Sequence, residues 1–179
     1  THIHADFASG IRDVQERLNA NIYVSGEGDD QLSYKNMPEH TNFVKNQDII
    51  QVGNIKLEVL HTPGHTPESI SFLLTDEGGG SSVPMGLFSG DFIFVGDIGR
   101  PDLLEKSVQM EGTTEIGAKQ MYQSIEGVKN LPDYIQIWPG HGAGSPCGKA
   151  LGAIPMSTLG YEKINNWAFN ETDESKFVE

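Results

Sequence analysis

Residues 1–7 read THIHADF and carry three candidate metal ligands at alternate positions, His2, His4 and Asp6. Alternate side chains of an extended segment point to the same side of the backbone, so two imidazoles and a carboxylate are expected to face one point. The pattern His-x-His-x-Asp is typical of metal sites, because imidazole and carboxylate groups are common ligands of transition metals. The segment therefore predicts several of the ligands of a metal centre.

Further candidate ligands each follow a glycine at the predicted end of a strand. They are His65 in TPGHT, Asp91 in FSGDF and His141 in PGHG. Tight turns at these glycines would place the side chains along one edge of a sheet, close to the candidate ligands of residues 1–7. Capping of helices or turns would explain Asp91 but not the histidines. His40 and His61 have no such pattern and are interpreted as ordinary surface or core histidines.

Hydrophobic periodicity divides the chain into the elements of one mixed, layered α/β domain. The predicted elements are a helix over 7–18, a strand at 21–25, a hairpin of 48–52 and 55–60 around Gly53-Asn54, strands at 70–74 and 134–138, and helices over 114–128 and 157–167. Thr113 or Thr114 is expected to cap the helix over 114–128. The polar segment 26–46 is expected to be a long connection.

Composition restricts the classes of partner and the extent of the domain. A formal net charge of -13 over 179 residues argues against nucleic acid or an anionic membrane as partner, because both attract basic surfaces. No apolar run approaches the roughly 20 residues of a membrane helix. Cys147 is the only cysteine, which fits a reducing cytoplasm. The chain starts at Thr1 without Met and is interpreted as a fragment, with one domain over 1–170 and the start of a linker at 171–179.

Four motifs together resemble those of the metallo-β-lactamase superfamily. They are THIHADF, HTPGHTPESISF, SGDFIFVGDIGRPDLL and PGHG. Within it, GDIGRPDL and PGHGAGSPCGKALG are similar to the bacterial persulfide dioxygenases whose catalytic domain is followed by rhodanese domains. The resemblance implies an αββα sandwich, here expected to lack its N-terminal strands, and rhodanese domains as partners. The sheet exposed by the missing strands would favour a homo-oligomer.

The same resemblance implies the metal and its ligands. Persulfide dioxygenases carry one Fe(II) per chain, and the matching positions are His2, His65 and Asp91. His4, Asp6 and His141 would then be further ligands or would orient the ligands and bound water. Dinuclear zinc hydrolases such as glyoxalase II have a histidine where this chain has Phe7. The loss of that ligand disfavours a second ion without excluding a zinc hydrolase.

Arg100 and Cys147, with Asp6, complete the candidate catalytic residues. Arg100 is expected to steady an anionic substrate group, with a loop salt bridge to Asp102 as the alternative. Cys147 lies six residues after His141 and is expected to contact the substrate or accept its sulfur, with Lys149 lowering the pKa of the thiol. The alternative is that Cys147 is simply a small buried residue.

These expectations combine into one leading function and two alternatives. The leading hypothesis is an Fe(II) dioxygenase that oxidises a low-molecular-weight persulfide with O2 to thiol and sulfite, in sulfide detoxification. The first alternative is a zinc thioester hydrolase of the glyoxalase II type. The second is a non-catalytic domain that relays sulfur through Cys147. The sequence does not indicate which thiol carries the persulfide.

Overall fold

The computed structural model describes residues 1–4, 8–28, 32–108, 112–149 and 152–179. The helices in these ranges are α1 (Ile11–Leu18), α2 (Leu103–Val108), α3 (Thr113–Val128), α4 (Leu159–Asn165), α5 (Trp167–Asn170) and α6 (Glu174–Val178). The strands are β1 (Ile22–Ser25), β2 (Thr41–Val44), β3 (Ile49–Val52), β4 (Ile55–His61), β5 (Ile70–Asp76), β6 (Gly86–Gly90), β7 (Gln136–Pro139) and β8 (Ser157–Thr158).

The strands form two sheets, one of six strands in the order β3-β4-β5-β6-β7-β8 and one of two parallel strands, β1 and β2. Neighbours in the large sheet are antiparallel except β6 and β7, which are parallel. The predicted hairpin is present, with Val52 paired to Ile55 across Gly53-Asn54. Because β6 and β7 run in the same direction, the residues that follow them, Asp91 and His141, leave the sheet at the same edge.

Apolar side chains pack on both faces of the large sheet. The main cluster joins β5, β6 and β7 to α3, α5 and α6, and its members include Leu73, Leu87, Ile137, Met121, Ile125, Phe169 and Phe177. A second cluster contains Val44 of β2 with Ile50, Val59 and Ile70. Val59 belongs to the second cluster whereas Leu60 packs against the first, because successive strand residues point to opposite faces. The predicted layered α/β fold is therefore confirmed.

Several local predictions were wrong. The segment 26–46 contains strand β2. The sequence shows no alternation of apolar and polar residues there, because only Val44 of the four strand residues is buried. Neither Thr113 nor Thr114 caps α3: Gly112 is the N-cap residue, and the carboxylate of Glu105 in α2 accepts the hydrogen bond from the Thr114 N–H.

The region after β7 also differs from the prediction. Residues 157–167 form β8 and α4, and α4 ends at Asn165 because Asn166 adopts an extended backbone and caps α5. The segment 171–179 contains α6, whose Phe177 is buried in the main cluster. The packed part of the chain thus reaches past residue 170. Among the described residues, no helix has the length and apolar character of a bilayer-spanning segment.

Candidate metal centre

Asp91 is a buried carboxylate that the described part of the chain leaves without hydrogen-bond donors. It directly follows β6, its residue is 2% exposed, and neither Oδ1 nor Oδ2 accepts a hydrogen bond from the described residues. Burying a carboxylate without donors or a positive charge is strongly unfavourable. The side chain therefore has the environment of a metal ligand.

Histidine side chains converge on one oxygen of this carboxylate. The Nε2 atoms of His141, His65 and His2 lie 3.2, 3.6 and 3.8 Å from Asp91 Oδ2. One ligand atom each from His2, His65 and Asp91 lies within 4.8 Å of the other two. The structure thus brings together the three residues predicted to hold a single ion.

Of the other predicted ligands in the first segment, the structure describes His4 but not Asp6. The His4 ring centroid lies 4.1 Å from that of His2 and 6.4 Å from that of His141, so His4 borders the centre. Asp6 and Phe7 lie outside the described residues, and the predictions about them stay predictions. His61, interpreted as an ordinary histidine, forms a hydrogen bond with the Pro67 carbonyl through Nε2.

Hydrogen bonds at the Nδ1 atoms orient the two buried histidines. His65 Nδ1 lies 3.0 Å from the Arg100 carbonyl oxygen, to which only an N–H can donate, so Nε2 is the ring nitrogen that faces Asp91. His2 Nδ1 lies 3.1 Å from Thr1 Oγ1. Burial, with a further contribution from the neighbouring imidazoles, lowers the pKa of His2 from 6.5 to about 2. Both rings thus present Nε2 to the centre, and His2 does so in the neutral form that binds metal.

Close approaches of glycine backbone allow the loops to meet at Asp91. The Gly140 N–H donates to the Gly90 carbonyl oxygen over 2.7 Å, which fastens the His141 loop to the end of β6. A Cβ added at Gly140 would lie 2.7 Å from Asp91 Oδ1, and one added at Gly99 would lie 1.8 Å from the Asp91 carbonyl oxygen. Any larger residue at these positions would force the ligand-bearing loops apart.

Glu68 is a residue of the site that the sequence analysis missed. It is completely buried, and its Oε1 accepts a hydrogen bond of 2.7 Å from the N–H of Ile3, the residue between His2 and His4. The Ile70 N–H donates to the Thr1 carbonyl oxygen on the same turn. Residues 65–70 therefore supply His65 and also hold the segment that carries His2. The only signal in the sequence is a carboxylate at the start of an otherwise apolar strand, in TPESISF.

Arg100 links the parts of the site mainly through its backbone and a local salt bridge. Its carbonyl oxygen accepts from His65, and its N–H donates to the Cys147 carbonyl oxygen over 2.9 Å. Its guanidinium donates two hydrogen bonds to Asp102, and this pairing lowers the pKa of the Asp102 carboxyl. The salt bridge weighed as the alternative is therefore present, and contact with an anionic substrate stays a prediction.

Cys147 lies beside the centre, as its spacing from His141 suggested. It is 6% exposed, and its Sγ lies within 4.8 Å of ligand atoms of both Asp91 and His141. The pKa of Arg100 is raised first by its hydrogen bond to Asp102 and to a smaller extent by Cys147, so the guanidinium is a cation near this sulfur. The Lys149 N–H donates to Asp97 Oδ2 over 2.6 Å, and the influence of the Lys149 ammonium on the Cys147 thiol stays a prediction.

Comparison with known proteins agrees with this arrangement. The model of the metallo-beta-lactamase superfamily matches residues 1–142, and the chain belongs to that superfamily. The chain is 29% identical over 143 residues to a hydroxyacylglutathione hydrolase of Dictyostelium discoideum, a match that covers 79% of this chain and 46% of that protein. The chain thus spans about half the length of the curated relatives it matches.

Two solved structures are similar over nearly the whole chain. A metallo-beta-lactamase from Staphylococcus aureus subsp. aureus COL is 79% identical, with a TM-score of 0.94 over 99% of this chain and 51% of that one. ETHE1 from Myxococcus xanthus is 28% identical, with a TM-score of 0.73 over 99% of this chain and 64% of that one. The His and Asp cluster fits the metal centre of a metallo-beta-lactamase fold.

Proposed function

We propose that the chain forms the catalytic domain of a non-haem iron dioxygenase that oxidises a low-molecular-weight persulfide. The observation that carries the proposal is the buried Asp91 carboxylate, without hydrogen-bond donors among the described residues, with His2 and His65 directed at it. These two imidazoles and one carboxylate would hold Fe(II), and such a ligand set would leave open positions for a sulfur ligand and O2. The sequence resemblance to persulfide dioxygenases and the structural similarity to ETHE1 support this proposal.

The overall reaction balances without a further reductant. A persulfide RSSH, O2 and water give the thiol RSH, sulfite and two protons, and the four electrons come from the outer sulfur atom. Iron supplies the redox chemistry that joins sulfur and O2 when it is bound. Protein groups would hold the ion in one orientation and keep the surroundings dry: Phe92 and Phe94, which follow Asp91, are 1% and 0% exposed.

His141 is proposed to stand at the side where reactants enter. Its side chain is 19% exposed, whereas those of His2 and His65 are 2% and 7% exposed. A partly exposed imidazole beside the centre can accept a proton released in the reaction and pass it to water. A cavity of about 440 Å³ borders His2 and His4 and is also lined by Tyr23, Tyr34 and Lys35. We propose that this cavity receives part of the thiol carrier.

The test combines oxygen uptake with metal quantification. Protein reconstituted anaerobically with Fe(II) is expected to consume O2 and form sulfite with at least one persulfide among those of glutathione, coenzyme A and bacillithiol. His2→Ala and His65→Ala should each lose iron and oxygen uptake. His40→Ala is the matched control, because His40 is exposed. Full activity in either ligand variant, or no uptake with any persulfide at one iron per chain, would contradict the proposal.

A zinc thioester hydrolase is the second candidate, and one observation favours it. Asp91 Oδ2 lies 3.2 Å from His141 Nε2 as well as 3.6 and 3.8 Å from His65 and His2, so the carboxylate is within reach of a histidine beyond the first set of ligands, as a group shared by two ions would be. The curated relatives named hydroxyacylglutathione hydrolase also favour this candidate. Purification without added metal discriminates between the two: two zinc ions per chain with thioester cleavage and no oxygen uptake would support the hydrolase.

We also propose that a rhodanese domain, which transfers sulfane sulfur, works together with this centre. The support is the sequence resemblance to fusions of the two activities. A purified rhodanese added with thiosulfate and a thiol would be expected to sustain oxygen uptake without preformed persulfide. Failure of this coupling, with preformed persulfide still oxidised, would remove the partner and leave the dioxygenase proposal intact.

A further inference from the structure

The cavity beside His2 and His4 differs in charge from the chain as a whole. The sequence has 25 acidic and 12 basic residues, so the field around the molecule repels anions. Among the described residues that line this cavity of about 440 Å³, none is an aspartate or glutamate, and Lys35 is the one lysine or arginine. An anionic group is therefore more favourable in this cavity than the net charge of the chain would suggest.

Lys35 and Tyr34 provide two neighbouring hydrogen-bond donors in the wall of this cavity. Lys35 is exposed and Tyr34 is partly buried. Burial, and to a smaller extent the nearby Glu68 carboxylate, raises the pKa of the Tyr34 phenol, so its hydroxyl keeps its proton and can donate. Lysine ion pairs in the described part of the chain use other side chains, namely those of Lys106, Lys119, Lys129 and Lys163.

We propose that Lys35 and Tyr34 form a subsite for a carboxylate group on the molecule that carries the reacting sulfur. A carboxylate accepts hydrogen bonds from an ammonium group and from a phenol, and such charge-assisted bonds are stronger than those between neutral groups. The identity of this molecule as a persulfide rests on the proposed function, whereas the binding of a carboxylate does not. Lys35 is thereby a residue that determines specificity and takes no part in the oxidation itself.

The size of the cavity limits how far the carboxylate can lie from the sulfur. One cavity of about 440 Å³ touches both His2, a proposed iron ligand, and Lys35. A substrate whose sulfur reaches the iron and whose anionic group reaches Lys35 must therefore be short. Coenzyme A carries its phosphates at the far end of a long arm, so its persulfide would gain little from Lys35. The subsite favours a small acidic persulfide over a neutral one of the same size.

Two persulfides of equal size test the specificity. They are those of 3-mercaptopropionate and of its amide, in which a neutral group replaces the carboxylate. Iron-loaded protein is expected to show a kcat/KM at least about tenfold higher for the acid. Lys35→Met keeps the length of the side chain without its charge and should lower kcat/KM for the acid alone. Lys45→Met is the matched control, because Lys45 is exposed and does not line the cavity. Equal kcat/KM for the two persulfides, or an unchanged ratio in Lys35→Met, would overturn the proposal.

Binding to zinc-loaded protein gives a second readout that does not depend on oxidation. Ligand-observed NMR titrations compare 3-(methylthio)propanoate with its amide, and the acid is expected to bind at least about tenfold more tightly. Lys35→Met should remove the difference, and Lys45→Met should keep it. Acid binding that depends on Lys35, with no oxygen uptake from any persulfide, would support the subsite and count against the dioxygenase function. Oxidation of both persulfides with equal kcat/KM would do the reverse, so the two proposals fail separately.

Discussion

Two buried carboxylates in this molecule have opposite surroundings. Glu162 of α4 is completely buried, and its oxygens accept hydrogen bonds from Ser157 Oγ, the Gly96 N–H and the Asn166 side-chain amide. Asp91 is 2% exposed and accepts none from the described residues. Hydrogen-bond donors of the protein surround the Glu162 carboxylate, whereas imidazole nitrogens surround the Asp91 carboxylate. The contrast is what we expect if Glu162 stabilises the fold and Asp91 binds the proposed ion.

Replacing Asp91 should have the largest effect on the metal centre. Asp91→Ala is expected to lose iron and all oxygen uptake, with metal affinity reduced by more than the ~10–100-fold that outer groups alone contribute. The metal-free variant should be as stable as the unmodified protein or more so, because an unpaired buried carboxylate has been removed. Iron quantification and thermal unfolding of the metal-free forms measure these effects. A marked loss of stability in metal-free Asp91→Ala would show that Asp91 supports the fold.

Replacing Glu162 should give the reverse result. Glu162→Ala leaves the part-buried Gly96 N–H without its acceptor and removes one of the two acceptors of the buried Asn166 amide, whose other acceptor is the Asp97 carbonyl oxygen, and should reduce the free energy of unfolding by about 2–4 kcal/mol. The iron content of the folded fraction should stay at the level of the unmodified protein. Denaturant unfolding measures the loss of stability, and metal analysis of the same preparation measures the iron content. Loss of iron at unchanged stability would contradict the assignment of Glu162 to the fold.

The sequence indicated which residues the structure brings together at Asp91, because their positions follow local rules. Gly64, Gly90 and Gly140 mark tight turns before His65, Asp91 and His141, and parallel pairing of β6 with β7 brings the last two to one edge. The hairpin at Gly53-Asn54 was equally local. By contrast, β2 has a single buried side chain and gives no alternating pattern.

Groups that act through distant partners were not predictable in this way. Glu68 gains its role from the Ile3 N–H, which lies 65 residues away in the chain. The Arg100 guanidinium is in electrostatic interaction with Cys147, a pairing that no local pattern indicated, and the expected influence of Lys149 on the thiol stays a prediction. Phe177 looked like part of a charged tail, and its burial against α3 and α5 depends on tertiary packing alone. In each case the partner is set by the fold and leaves no local pattern.

Glu68 combines a feature of each of these two carboxylates. It is completely buried like Glu162, but its bond to the Ile3 N–H holds the histidine segment. Glu68→Ala should weaken metal affinity by about 10–100-fold. Glu68→Gln keeps an acceptor oxygen of the same shape and should restore most of the affinity. Titration of the metal-free variants measures this, with Glu162→Ala as a control of equal burial. Equal affinity in Glu68→Ala and the unmodified protein would place Glu68 with Glu162 as a structural acid.

The smallest expected effect is a pH dependence of stability in the metal-free protein. Burial lowers the pKa of His2 to about 2, so the folded protein keeps this imidazole neutral, whereas the unfolded chain takes up a proton below its ordinary value of 6.5. The unfolded state therefore binds more protons between these values, and the free energy of unfolding should fall as the pH falls from about 6.5. For this one group the slope is at most about 1.4 kcal/mol per pH unit. His2→Gln should flatten the dependence by that amount, and His40→Gln should not. Coincident slopes for His2→Gln and the unmodified protein would mean that His2 is protonated within the fold and balances the Asp91 carboxylate as a buried ion pair.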